Sequence, residues 1–209
     1  MNINSTLSHR STEPEEGVLY LVGTPIGNLS DISSRAINIL KEVSLIACED
    51  TRQTKKIMIK FGINNKLISF NQHNSKYKIS KIINELNKGK SIALVSDAGM
   101  PSICDPGEEL VRSIKDCNLH VICIPGPCAI INAIVSSGFS ASRFVFEGFL
   151  PKKKSEREER ILSISNRDKT TVLFESPHRI CDLMIELKHY CGGEREIMIA
   201  RELTKKYEE

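Results

Sequence analysis

Short apolar runs alternate with amphipathic stretches through most of this chain, and their spacing predicts the elements. The run Val18–Val22 leads through a loop to Asp31, placed to cap a helix that continues to about Lys41 with Ile32, Ala36, Ile39 and Leu40 inward. Leu45–Cys48 predicts a second strand. The stretch EDTRQTKKIMIKFG then has helical periodicity with Gly62 as its stop, followed by a short strand at 67–70 and a helix over 75–88 ended by Gly89. Ile92–Val95 and 121–124, each with a following helix, complete a βαβ series. That order predicts an α/β fold whose mostly parallel sheet is covered on both faces.

Beyond Gly138 the pattern changes. Residues 144–146 form an aromatic strand that GFLP is expected to break, and KKKSEREER opens a charged helix reaching about Ser163. A strand at 171–174, a helix over 177–190 and a strand at 197–200 follow. The expected organisation is a disordered segment over 1–16, an N-terminal α/β domain over 17–138 with a parallel sheet, and a C-terminal α/β domain over 139–209. With nothing to cover its last strand, the second domain reads as incomplete.

Three of the apolar runs end in turns rich in Gly and Pro: GTPIGNL after Val22, SDAGMPSICDPG after Val95, and PGPCA after Ile124. In open parallel sheets ligands sit beyond the carboxyl ends of the strands, so three such ends predict one crevice. GTPIGNL lacks the third glycine of the dinucleotide fingerprint and the Lys-Ser/Thr ending of the P-loop, which disfavours nicotinamide and ATP sites. Asp97, at a strand end, is a candidate ligand to a hydroxyl or ammonium, whereas Asp105 is expected to cap the next helix at Asp105-Pro106-Gly107. Pro125-Gly126-Pro127 turns into a helix whose small first residues, Cys128 and Ala129, leave room for a flat group.

Composition narrows the class further. In 209 residues, 40% are hydrophobic and 26% charged, enough for one good core or two small ones. No apolar stretch approaches the roughly 18 residues a membrane helix needs, and residues 1–16 lack a signal-peptide core, so a cytoplasmic protein is expected. Seven cysteines without a CxxC pair are expected to be reduced and buried, as at Cys48, Cys117 and Cys123. Zinc on Cys123, Cys128 and a distant His is disfavoured by their spacing, and no metal is expected. A net charge of +3 does not by itself identify a nucleic-acid partner.

The blocks LVGTPIGNLSD, CEDTRQT, LVSDAGMPSICDPG, PGPCA, GFLP, FESPHR and ARELTKKYEE occur in one order from about Gly17 to Glu209. Together they resemble the bacterial ribosomal RNA ribose methyltransferases of the tetrapyrrole methylase superfamily. The resemblance implies two α/β domains with S-adenosylmethionine in the cleft between them. It also implies a homodimer and 2′-O-methylation of a cytidine ribose in 16S ribosomal RNA of the small subunit. By position, Pro25 and Gly27 would line the cleft, Ser96, Asp97, Ala98 and Gly99 would hold the methionine end or ribose, and Pro127 and Ala129 would flank the adenosine. Phe174 and Ala200 would close over the cofactor. Met100, Ser102, Cys104 and Cys128 depart from the family's usual residues in these loops while leaving its glycines and prolines in place. Family members usually run several tens of residues past ARELTK.

A sulfonium is an activated methyl donor, so placing the acceptor oxygen in line supplies much of the acceleration. A weakly acidic ribose hydroxyl also calls for a base or a stabilising cation, and Asp50 and Arg52 in CEDTR with Glu175 and His178 in FESPHR are the candidates. Their structural readings stand beside this one: Asp50 as a helix cap, His178 and Arg179 as bridging residues. Arg52, Lys55, Lys56, Lys152, Lys153 and Lys154 are candidates for RNA contact, with a merely solvated helix the alternative for KKKSEREER. Aromatics at 5% give no stacking-rich platform, which favours recognition of RNA shape and phosphate. Two other functions remain open: methylation of a tetrapyrrole or diphthine precursor, and a shortened, non-catalytic protein that binds RNA or dimerises.

Overall fold

The computed structural model describes residues 12–71, 75–105 and 107–209, without the side chains of residues 75 and 76. The part of the expected 1–16 tail before residue 12, and Pro106, lie outside the described residues. The chain divides into two compact units, the first through Cys128 and the second from Ala129. The helix at Ala129–Ser137 therefore falls in the second unit, whereas the boundary expected from sequence at 138/139 assigned it to the first.

In the first unit the strands β1 (Val18–Val22), β2 (Leu45–Cys48), β3 (Leu67–Ser69), β4 (Ile92–Val95) and β5 (His120–Ile124) form one sheet in the order β3-β2-β4-β1-β5. Every pairing is parallel. Successive side chains on a strand face opposite sides. Val18, Tyr20, Val22, Ile46, Cys48, Ala93 and Val95 accordingly pack in one core, and Leu19, Ala47, Ile92 and Leu94 in the other. Helices α1 (Ser34–Glu42) and α2 (Thr51–Phe61) cover the first face with Ala36, Ile39, Leu40, Ile57 and Met58. Helices α3 (Ser75–Asn87) and α4 (Glu108–Asp116) cover the second with Ile79, Ile82, Leu86, Leu110 and Ile114. The near-continuous apolar strands are what a sheet buried on both faces requires.

Local signals set most helix ends, with two corrections. Gly62 takes the left-handed conformation (φ 60°) after α2, as expected of a stop. Asp31, however, does not cap α1. Leu29–Asp31 forms a separate 3-10 turn capped by Asn28, the chain then extends through Ile32, and Ser33 accepts from the Ala36 amide at 3.1 Å. Asp105 does not cap α4 either, because the helix begins three residues later, after Gly107, with no side-chain cap. Ahead of β1, Glu13 accepts two hydrogen bonds from Arg35 at 2.6 and 2.8 Å, and the Glu15 amide donates to the Tyr20 hydroxyl at 2.7 Å.

The second unit contains α5 (Ala129–Ser137), β6 (Phe144–Phe149), α6 (Lys154–Ser165), β7 (Thr170–Phe174) and α7 (Ile180–Cys191). β6 and β7 pair in parallel, with a register shift between Phe146 and Gly148. GFLP thus does not break β6: Gly148, at φ 65°, carries the strand through a bulge to Phe149. Leu150, Ile161, Ile164, Leu183 and Leu187 form the core that α6 and α7 share. Residues 197–200 are not a strand, although their apolar run permits one, because no neighbouring strand among the described residues pairs with them.

The seven cysteines are free thiols, and Cys48 is buried. Cys117 and Cys123 are exposed, contrary to the expectation of burial: one ends α4 and the other lies on β5, one of the two edge strands. Among the described residues no helix is long and apolar enough to cross a membrane, and no three His, Cys, Asp or Glu are grouped to hold a metal ion.

Candidate functional site

The carboxyl ends of β1, β4 and β5 meet in the first unit through backbone. Gly23 and Gly126, just beyond β1 and β5, touch at their main chains. A Cβ on either would come within 2.7 Å of the other's Cα. The Gly23 amide donates to Ile124 O at 3.4 Å, while Thr24 and Gly99 exchange amide–carbonyl hydrogen bonds at 2.9 and 3.0 Å. Gly99, at φ 81°, sits so that a Cβ would meet Ile26 at 3.3 Å and the Pro127 carbonyl at 3.4 Å. These contacts join GTPIGNL, SDAGMPSICDPG and PGPCA into one cradle, as their positions at neighbouring strand ends predict.

Thr24 is the part of this cradle that reading the sequence missed. It is fully buried, with its hydroxyl 3.2 Å from Ser96 O and 3.4 Å from Gly99 O. Ser96 is buried too, its hydroxyl donating toward Ala98 O at 3.2 Å and Gly99 O at 3.3 Å. Pro25 is buried, Pro127 is half-buried, and Gly27, Asp97 and Ala98 are exposed. The β4 loop also carries two non-glycine residues in the left-handed region, Ser102 (φ 71°) and Cys104 (φ 61°). Such strain persists only where surrounding structure enforces it, and it concentrates at binding loops.

Carboxylates from two strands gather beside the cradle. The Asp50 amide donates to Asp97 Oδ1 at 3.0 Å, tying the end of β2 to that of β4. Burial pushes the Glu49 carboxyl above its ordinary pKa, and the charges of Asp105, Asp97 and Asp50 push it further. Burial likewise raises Asp105, opposed by a hydrogen bond from Ser96 and reinforced by Asp97. Asp50 behaves oppositely. It accepts from the Arg52 amide at 2.8 Å and from the guanidinium at 2.6 to 3.0 Å, and these bonds hold its carboxyl down at about 2. Asp50 is therefore both the cap of α2 and the anchor of an exposed Arg52. Glu49, adjacent in CEDTR, left no signal of its own in the sequence, because its burial depends on the meeting of β2 and β4.

Lys55 and Lys56 are exposed on α2, Lys56 donating to Gln53 at 2.8 Å, and the other candidates belong to the second unit. Ala129 opens α5, Phe174 ends β7, and Ala200 lies outside any strand. Phe174 packs against Phe146 and Phe149, with ring centroids 5.0 and 5.5 Å apart. Glu175 is held by the buried Arg157 at 3.3 Å, by Arg179 at 3.5 Å and by the Ser176 amide at 2.9 Å. His178 is exposed on the turn before α7. Lys153 and Lys154 pair with Glu156 and Glu158 at 2.9 and 3.9 Å, and Lys152 is exposed.

The model of the Tetrapyrrole (Corrin/Porphyrin) Methylases matches residues 18–209. The chain belongs to that family. Among solved tetrapyrrole methylases, cobalt precorrin-4 methyltransferase superposes with a TM-score of 0.69 at 14% identity, covering 92% of this chain and 83% of that one. At such identity the likeness concerns the fold. Sequence relatives within the methylases are much nearer. The chain is 46% identical over 191 residues to "Ribosomal RNA small subunit methyltransferase I" of Vibrio cholerae, covering 91% of this chain and 66% of the relative. It is 46% identical to the protein of that name in Synechocystis, covering 92% of this chain and 69% of the relative, and 47% identical to that of Buchnera aphidicola, covering 92% and 67%. The chain thus spans about two thirds of the length of these methylases.

Proposed function

We propose that the protein is an S-adenosylmethionine-dependent methyltransferase that 2′-O-methylates a cytidine ribose in 16S ribosomal RNA of the small subunit. The observation that carries this proposal is the 42–47% identity to relatives named for small-subunit ribosomal RNA methylation. The glycine cradle fits the cofactor. Gly23 and Gly126 press main chain to main chain, and Gly99 lies against Ile26 and the Pro127 carbonyl, so the glycines hold the three loops together beyond the strand ends, where a ligand of a parallel sheet sits.

Pro25, Gly27, Ser96, Asp97, Ala98, Gly99 and Pro127 would hold the cofactor from the first unit, with Ala129, Phe174 and Ala200 contributing from the second. Bound S-adenosylmethionine supplies a methyl group already activated on a sulfonium. The residues then have to orient the acceptor hydroxyl and manage its charge. Arg52, fixed by Asp50, is the cation to stabilise a developing alkoxide. Asp50, whose carboxyl is held at about 2, is a weak base. Glu175 is committed to two arginines, which leaves His178 as the candidate proton acceptor. The proposal includes a cytoplasmic homodimer, which analytical ultracentrifugation tests.

The deciding experiment is methyl transfer from labelled S-adenosylmethionine to unmodified small ribosomal subunits, with nuclease digestion and nucleoside mass analysis. Label in 2′-O-methylcytidine is the expected outcome. Label in a base, or in a tetrapyrrole acceptor alone, overturns the assignment.

A further inference from the structure

Charge along the chain is distributed far less evenly than its small total suggests. Between Thr51 and Asn84 there are eight Lys and Arg and no Asp or Glu, although the whole chain carries a net charge of only +3. The fold brings this segment to one edge. It comprises α2, β3 and nearly all of α3, with β3 outermost in the sheet and the two helices on opposite faces. Arg52 is answered by Asp50, but Lys55, Lys60, Lys66 and Lys81 have no ion pair among the described residues. The lysines that open α6 differ, since Glu156 and Glu158 offset them on their own helix.

Two large side chains are exposed on the helices that flank this edge. Ile59 is 82% exposed on the outer face of α2, and Tyr77 is 78% exposed on α3. Ile59 borders a cleft of about 640 Å³, lined also by Thr51, Lys55, Met58 and Asn64. This cleft begins beside the cradle, because the Asp50 amide that starts α2 bonds Asp97 at 3.0 Å. The 11 residues of α2 then lead about 16 Å away from it. Cations without partners, interleaved with exposed apolar and aromatic groups along a path from a reaction site, match a flexible polyanion with stacking faces.

We propose that the β3 edge of the first unit is an RNA-docking face. The single-stranded ribosomal RNA flanking the modified nucleotide runs along it, with phosphates against Lys55, Lys60, Lys66 and Lys81 and bases against Ile59 and Tyr77. This rests on ribosomal RNA being the substrate. Binding to unmodified small ribosomal subunits across a salt series tests it, on the wild type, the triple variant Lys55→Gln/Lys60→Gln/Lys81→Gln, and Tyr77→Ala.

The triple variant should bind at least tenfold more weakly at low salt, with the slope of log affinity against log salt reduced by about 2, at roughly 0.7 per cation lost. Tyr77→Ala should bind about tenfold more weakly with the slope unchanged, the signature of a lost stacking contact. All four substituted side chains lie on the surface, and S-adenosylmethionine affinity and melting temperature should match wild type. A triple variant with wild-type slope and affinity overturns the docking face while leaving the substrate assignment standing. A wild type that neither binds nor methylates the subunits overturns both.

Discussion

Gly126 leaves no room for a side chain, since its Cβ would fall 2.7 Å from Gly23 Cα and 2.9 Å from the Gly23 carbonyl carbon. Neither backbone can retreat without pulling β1 from β5. Gly126→Ala should cost about 1–3 kcal/mol in chemical denaturation and weaken cofactor binding at least tenfold in calorimetry. Glu49 makes a prediction of opposite sign. A carboxyl with a raised folded-state pKa binds more protons folded than unfolded between the two values, so its contribution to stability falls as pH rises through that interval. Glu49→Gln should melt above wild type at neutral pH, with the gap closing in acid below the ordinary carboxylate value. Asp50 works the other way: its stabilising contribution is present above the ordinary value and is lost as pH falls toward about 2. The importance of Gly126 is half legible in PGPCA, which announces a tight turn. That Gly23 is the neighbour it presses on belongs to the sheet order.

Among the elements, α6 shows how a charged helix is fastened. Most of KKKSEREER faces water, but Arg157 is only 6% exposed and reaches Glu186 at 2.7 Å and Glu175 at 3.3 Å. It thereby links α6 to α7 and to the end of β7. Arg157→Ala leaves Glu175 with Arg179 and the Ser176 amide, and removing one member of a buried ion network typically costs about 3–5 kcal/mol. A fall of that size in denaturation, with partial recovery on adding Glu175→Gln, is the expected result. The run of charges marked this helix, which spans Lys154–Ser165. The sequence could not distinguish Arg157 from the other charges in the run, because burial depends on what α7 brings opposite. Helix starts were misplaced for a related reason: Asp31 and Asp105 are good capping residues by type, but a 3-10 turn and Gly107 put the helices a few residues further on.

For the whole molecule, a cofactor that binds only the folded state adds stability by mass action. At a hundred times its dissociation constant, S-adenosylmethionine should add about 2.7 kcal/mol, seen as a rise in melting temperature that a tenfold weaker Gly126→Ala cuts to about half. The βαβ alternation, the parallel sheet covered on both faces and the three loops at strand ends were all determined by the sequence alone. Strand period, helix period and Gly/Pro punctuation are local properties that need no partner to be read. Tertiary structure decided which of those loops touch, that Glu49 is partly buried, that 197–200 lacks a strand to pair with among the described residues, and that Lys55, Lys60, Lys66 and Lys81, without an ion pair among the described residues, lie with Ile59 and Tyr77 on the elements around β3. Each of these depends on residues distant in the chain meeting in space, and the strand order β3-β2-β4-β1-β5 is what brings them together.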